Sequence, residues 1–262
     1  MGDNLQKVID FYNKINENGR LFIDKAHHIE YLTTIEYLNK FIKSGDRMLD
    51  VGAGTGVYSF YFADKDVDVT AIDLVQKNVE IMKLKNEAFK INVLQGDARD
   101  LSQFEDNRFD IVLCLGPLYH LEKEINKLKC IKECTRVLKK GGYLFLAYIS
   151  NYAHFLNMVN GNYMEKLNYD ILKQNIELGK EDGKSFYYLS PKQMSDLISR
   201  FPLEEINQIG TDGISYMIED QINHFNEEQF NVWFKYHLKT CEEKSLLGYS
   251  LHCLNICKKR LR

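Results

Sequence analysis

The residues best placed to do chemistry run Asp50-Val51-Gly52-Ala53-Gly54-Thr55-Gly56. An apolar run through Met48 and Leu49 meets an acid, and the acid opens onto three glycines at alternate positions. That order is the layout of a nucleotide-cofactor site. Glycine reaches positive φ at little steric cost and lets a ligand approach the backbone. An open sheet binds its ligand at the carboxyl ends of its strands. Spacing then narrows the cofactor. A dinucleotide fingerprint places its third glycine five positions after the first. That position is Val57 here, and the third glycine falls one residue early, at Gly56. The pattern disfavours a nicotinamide-dependent oxidoreductase.

Three more groups follow, each near the end of an apolar run. Asp73 comes about 20 residues after the loop, where a carboxylate is placed to accept the ribose hydroxyls of an adenosine. In Gly96-Asp97-Ala98, Asp97 is placed to accept from an adenine amino group and Ala98 to donate its amide. Leu115-Gly116-Pro117-Leu118-Tyr119-His120-Leu121 carries polar and aromatic groups to the mouth of such a site. An imidazole with an ordinary pKa of about 6.5 suits proton removal near neutrality. His120 is therefore the candidate base, with Tyr119 beside it, and His154 and His224 stand behind them. Asp110 lies at the wrong end of its run for chemistry and is read as structural, and Asn78 receives no role.

These residues need elements to position them. Apolar spacing of three and four predicts helices over 5–17 and 29–42. The pattern then alternates: strand 47–51, helix 57–64, strand 67–72, helix 75–89, strand 91–94 and strand 109–115. The last is continuously apolar and so expected to be buried on both faces. A helix over 122–138 is expected to stop at Lys139-Lys140-Gly141-Gly142, basic residues followed by a C-cap glycine, before a strand over 143–149. Repeated strand–helix units predict a parallel sheet with helices on both faces. Beyond it, 151–178 reads as mostly helical. Ser190 caps a helix with Pro191 at its first position. A strand follows over 203–209, then a helix over 214–240 around Trp233 and a strand over 249–257.

The set resembles the class I S-adenosylmethionine-dependent methyltransferases. The resemblance covers about 47–149. It rests on Leu49-Asp50-Val51-Gly52-Ala53-Gly54-Thr55-Gly56, Ile72-Asp73-Leu74, Gly96-Asp97-Ala98, Phe109-Asp110-Ile111-Val112 and Arg136-Val137-Leu138-Lys139-Lys140-Gly141-Gly142. Gly116-Pro117-Leu118-Tyr119-His120-Leu121 looks like uncharacterised bacterial small-molecule enzymes of that superfamily. The resemblance implies an α/β, Rossmann-like, doubly wound sheet of seven mostly parallel strands, a final antiparallel hairpin and helical cap insertions. It implies N-terminal helices over the cofactor (1–46), a core (47–150), a helical cap (151–188) and a C-terminal part (189–262) with a second insertion at about 214–246. S-adenosylmethionine is then expected on Asp50, Gly52, Ala53, Gly54, Gly56, Asp73, Leu74, Asp97, Ala98, Leu115 and Gly116. Tyr12 and Arg20 come from the N-terminal cover, with Arg20 suited to pair with the methionine carboxylate. Tyr119 and His120 are the implied catalytic pair.

Composition bounds the acceptor. The 262 residues carry 34 Lys and Arg against 37 Asp and Glu, a net charge of -3, which argues against a general nucleic-acid binder. No Asn-Pro-Pro-Tyr element follows the fourth strand, as enzymes acting on planar amino groups carry, and Leu115-Gly116-Pro117-Leu118 stands there. A small-molecule acceptor is the expectation. The alternatives are RNA or protein methylation, or a non-catalytic cofactor-binding protein. Aromatic residues in the cap segments (Tyr148, Tyr152, Phe155, Tyr163, Tyr169, Phe186, Tyr187, Tyr188, Tyr216 and Phe225) fit an apolar or planar acceptor. The six cysteines form no Cys-x-x-Cys pair and read as buried thiols, with no metal. No apolar run approaches the ~20 residues of a membrane span, and the first 18 residues hold no signal-peptide core, so a cytoplasmic protein is expected. The basic tail 258–262 reads as solvated.

Overall fold

A computed structural model describes residues 5–14, 17–161, 167–180 and 185–261. Its strands are β1 (Arg47–Val51), β2 (Asp68–Asp73), β3 (Asn92–Gln95), β4 (Phe109–Cys114), β5 (Leu138–Ile149), β6 (Leu203–Gly210) and β7 (His252–Lys259). They form one sheet in the order β3-β2-β1-β4-β5-β7-β6. The first five strands pair in parallel, and β7 runs antiparallel between β5 and β6. The chain winds outward from β1 to β3, then returns to place β4 on the other side of β1. That reversal is where an open α/β sheet leaves a crevice beyond its strand ends.

The helices are α1 (Leu5–Lys14), α2 (Lys25–Leu38), α3 (Val57–Ala63), α4 (Gln76–Lys85), α5 (Glu124–Val137), α6 (Asn151–Asn160), α7 (Tyr169–Leu172), α8 (Pro191–Ile198), α9 (Glu219–Asn223) and α10 (Glu227–Thr240). Alternation along β1 sorts the core. Leu49 and Val51 pack with Cys130, Ile131 and Cys134 of α5 and Met194 and Leu197 of α8. Met48 packs on the opposite face with Leu38 of α2, Phe62 of α3 and Met82 of α4. Each fully buried Leu, Ile or Met there contributes about 1.5–3 kcal/mol. The 214–246 segment covers α2, where Ile222 and Trp233 pack around Ala26 and Ile29. No helix among the described residues is long and apolar enough to cross a membrane.

Several local expectations change. The helix expected over 29–42 starts a turn earlier, because the Asp24 side chain accepts from His27 N and caps it. Gly141 and Gly142 lie inside β5 rather than at a helix end. The register slips there between Phe109 and Ile111 of β4. A side chain at Gly142 would put Cβ 2.5 Å from Asp110 O, so the glycine is what lets the two backbones meet. The helix over 214–240 breaks after Asn223, and Asn226 restarts it through a capping box with Gln229. The 151–178 segment is α6, α7 and a π-turn (Lys173–Glu177) rather than one helix; Tyr163 lies outside the described residues. The last strand begins at His252, after a short 3-10 turn (Leu247–Tyr249). The basic tail is not all solvated: Lys258 and Lys259 belong to β7, and Lys259 Nζ donates to Thr135 O and Leu138 O.

Ser190 caps α8 as expected, with Gln193 closing the box. Ser190→Ala should cost about 1 kcal/mol, read as a lower urea midpoint with an unchanged slope.

Candidate functional site

Strand order sets the site. The carboxyl ends of β3, β2, β1 and β4 lie side by side at about 4.8 Å per strand. Asp97, Asp73, the glycine loop and the Leu115–His120 segment therefore line up across the crevice in that order. The cleft over them encloses about 1090 Å³, its open mouth included.

The loop after β1 is stitched to β2. Gly52 N and Ala53 N both donate to Ile72 O, at 2.8 and 3.0 Å. Gly52 holds φ +72°, and a side chain there would put Cβ 2.7 Å from the Pro117 ring. The next link is electrostatic. Gly54 N donates to Asp73 Oδ2 at 2.8 Å, while Val75 N and Asn78 Nδ2 donate to Asp73 Oδ1 at 2.8 and 3.2 Å. Asp50 accepts from Ser59 Oγ at 2.7 Å. Burial raises both carboxyls. Asp73 rises despite the amides of Val75 and Gly54. Asp50 is pushed up to about 7 by burial, with the Asp73 charge adding to it and the Ser59 bond opposing.

At the β3 end, Asp97 accepts the Arg99 amide and pairs with the Arg99 guanidinium at 2.6 Å. At the β4 end, Tyr119 Oη donates to Leu115 O at 3.0 Å. His120 is buried. Its Nδ1 lies 2.9 Å from Ser185 O and its Nε2 2.8 Å from Tyr12 Oη. Burial lowers its pKa to about 4, against the partial support of the Ser185 carbonyl. The ordinary imidazole expected from the sequence is therefore a neutral, doubly bonded one. Helix α1 lies over this end, contributing Leu5, Val8 and Tyr12 to the cleft.

Residues 49–146 match the methyltransferase domain family. That stretch is a methyltransferase domain by this match, and S-adenosylmethionine is the cofactor the match implies. The chain is 30% identical over 152 residues to an uncharacterised protein of Methanocaldococcus jannaschii, a match covering 56% of this chain and 62% of that one. It thus spans less than two thirds of that relative's length. It is 25% identical over 175 residues to a ubiquinone biosynthesis O-methyltransferase of Vibrio atlanticus, covering 66% of this chain and 68% of the relative. The crystal structure of an S-adenosylmethionine-dependent methyltransferase from Methanosarcina mazei superposes with a TM-score of 0.57 at 19% identity. That match covers 86% of this chain and 98% of the other, and the likeness is one of fold.

The cleft gathers Tyr119, His120 and all but one of the expected cofactor residues. Gly56 lies outside the lining, at the N-cap of α3, where a Cβ would meet the Phe60 ring at 2.7 Å. His154 and His224 also lie elsewhere: His154 stacks on Tyr188 at 3.9 Å, and His224 Nδ1 meets Asp220 O at 2.6 Å. Among the described residues none beyond Leu121 lines the cleft, though Ser185 and Phe186 touch His120. Arg20 does line it, held by Glu30 through two bonds of 2.8 and 2.9 Å. Burial alone would raise Glu30, but Arg20 and His252 outweigh it and hold the carboxyl at about 2. The six cysteines are buried thiols, with Cys114 Sγ 3.7 Å from Cys130 Sγ. Asp110 is structural, accepting from Arg47 N and pairing with Lys139.

Asn78, Tyr58 and Phe22 line the cleft without having been given a role. Asn78 alone left a trace in the sequence, one turn into the helix that starts after Asp73. The donor set fits the cofactor on the observation of an orphan: Thr55 Oγ1 is buried beside the glycine loop with no partner. Asp50 and Asp73, both buried, line the same cleft.

Asp73→Ala should weaken S-adenosylmethionine binding by roughly 1–3 kcal/mol, tenfold to a hundredfold by calorimetry. Asp50 makes a second, opposite-signed prediction. Folding raises its pKa from 3.8 to about 7, so between those values the folded chain keeps a proton the unfolded chain loses. Its contribution to stability is complete below pH 3.8 and falls as pH rises to about 7. Asp50→Asn should flatten that decline in urea melts across the same range.

Proposed function

We propose that this protein transfers the methyl group of S-adenosylmethionine to a small-molecule acceptor held at the β4 end of the cleft. The observation that carries the reading is the division of the cleft. Its β1–β3 strand ends present three carboxylates and the glycine loop, whereas Tyr119 and Leu121 after β4, with Tyr12 bound to His120, wall its β4 end; Leu5, Val8 and Phe22 add apolar lining. Helix α1 roofs that apolar side, which suits a small ring better than a nucleic acid or a protein surface. The net charge of -3 points the same way, and so does the ubiquinone-pathway relative, whose name records an O-methyltransferase.

The cofactor supplies a methyl already activated on a cationic sulfur. The chain must hold the acceptor in line at near-contact distance and keep water out. In this reading Asp73 receives the ribose hydroxyls on its remaining lone pairs, and Asp97 and Ala98 face the adenine. The loop from Gly52 to Gly54, with Asp50 behind it, positions the methionine part. Arg20, already braced by Glu30, meets the carboxylate. Leu115, Gly116 and Leu74 supply backbone and apolar contact. Tyr119, fixed to Leu115 O, presents its ring toward the methyl, where an aromatic face stabilises positive charge by about 0.5–2 kcal/mol.

Calorimetric titration with S-adenosylmethionine, S-adenosylhomocysteine and NAD in parallel tests the reading. Binding of the first two with silence from NAD is expected, followed by turnover in a screen of small hydroxylated and amine acceptors. NAD binding alone would overturn it, and turnover confined to RNA or protein would move the acceptor class.

A further inference from the structure

We propose that Cys114, Cys130 and Cys134 form a binding site for a single copper(I) ion, set in the core beside the end of β4. The site goes beyond the methyl-transfer reading and does not depend on it.

Helix spacing brings two of the sulfurs together, and the fold supplies the third. Cys130 and Cys134 stand four apart on α5, so they share one face of the helix. That face packs in the core with β4, whose last residue is Cys114. All three residues are fully buried. Cys114 Sγ lies 3.7 Å from Cys130 Sγ, and the three sulfurs all lie within 4.8 Å of one another. A first-row cation held in a plane by three sulfurs at about 2.3 Å spaces them about 4.0 Å apart. The sulfurs therefore already stand close to the corners of that triangle. The other cysteines do not converge in this way. Cys241 meets the Tyr37 hydroxyl, Cys253 donates to Leu247 O and Ser250 O, and Cys257 donates to Asn255 Oδ1.

The donors select the ion. Sulfur ligands are soft and favour copper(I) and zinc over the hard cations that carboxylates hold. Zinc takes four ligands in a structural site. Among the described residues the group here consists of three sulfurs, and their burial keeps bulk water from a fourth position. Copper(I) is satisfied by three. Charge points the same way, since an apolar core tolerates net charge poorly. As the ion enters, one thiol gives up its proton to solvent and two sulfurs bind as neutral donors. One positive charge comes in, one goes out, and no electron is transferred. A divalent ion would need two thiols to ionise. Leu115 and Gly116 of the cleft wall follow Cys114 directly, so a bound ion would fasten to α5 the strand end from which that wall extends.

The test loads the reduced 262-residue chain with one equivalent of copper(I) under argon. Loading runs in urea below the unfolding midpoint, where local opening admits the ion, and the urea is then removed. Bathocuproine disulfonate, whose copper(I) complex is coloured, reports the ion that the protein gives up. The wild type should hold one ion at a chelator concentration that strips Cys130→Ala and Cys134→Ala. Cys257→Ala should hold it as the wild type does. X-ray absorption at the copper edge of the loaded wild type should show three sulfurs at about 2.3 Å, a reading that needs no variant to fold. Loss of the ion from the wild type, its retention in both α5 variants, or a copper shell of oxygen and nitrogen overturns the site. Zinc(II) held on the same three sulfurs in preference to copper(I) overturns the choice of ion.

Discussion

One carboxylate holds the cleft together. Asp73 ends β2 and receives Gly54 N from the loop after β1, Val75 N from the turn that follows it, and Asn78 from α4. Three pieces of chain are fixed on its two oxygens. Hydrogen bonds to an ionised group are worth about 1.5–3 kcal/mol each, enough to hold a loop whose glycines sit at positive φ. Burial raises the neighbouring Asp50, and the Asp73 charge adds to that rise.

A second chain of charge braces the other wall. Arg20 is gripped by Glu30, and His252 of β7 lies 3.4 Å from Glu30 and 2.7 Å from Asp212. Burial would lower His252, but Glu30 and Asp212 outweigh it and raise its pKa. The antiparallel hairpin is thereby joined to the N-terminal cover. A buried pair of this kind costs desolvation and holds only with good geometry, and the two-point Arg20–Glu30 contact supplies it.

The parallel half of the sheet was legible because its information is local. Met48 to Val51, 68–73 and 109–114 are short, mostly apolar runs, and Asp50, Asp73 and Asp97 stand at or just past strand ends where any open sheet binds. Ser190 and Pro191 announced α8 by the same kind of short-range chemistry. What stayed hidden was decided at a distance. Asn226 restarts a helix inside a stretch whose apolar spacing never falters. Glu30 becomes the partner of Arg20 only when the 3-10 turn (Glu17–Phe22) packs on α2. Tyr12 and His120 lie 108 residues apart, and nothing in either neighbourhood signals the other. Asp24 was missed as a cap because Lys25-Ala26-His27-His28 shows no apolar spacing to mark a helix start.

The order of the strands leaves β3 and β6 at the rims, and each is poorly suited to recruit a stranger. β3 has only four residues, too few to template a long ladder. β6 is longer, but it exposes Glu204 and Glu205 and its pairing with β7 slips between Glu205 and Asn207. Carboxylates and a kink on an open rim discourage another chain from adding a strand there. Strand-to-strand aggregation is thus resisted at both ends of the sheet, and the central strands are left free to be as apolar as the core requires.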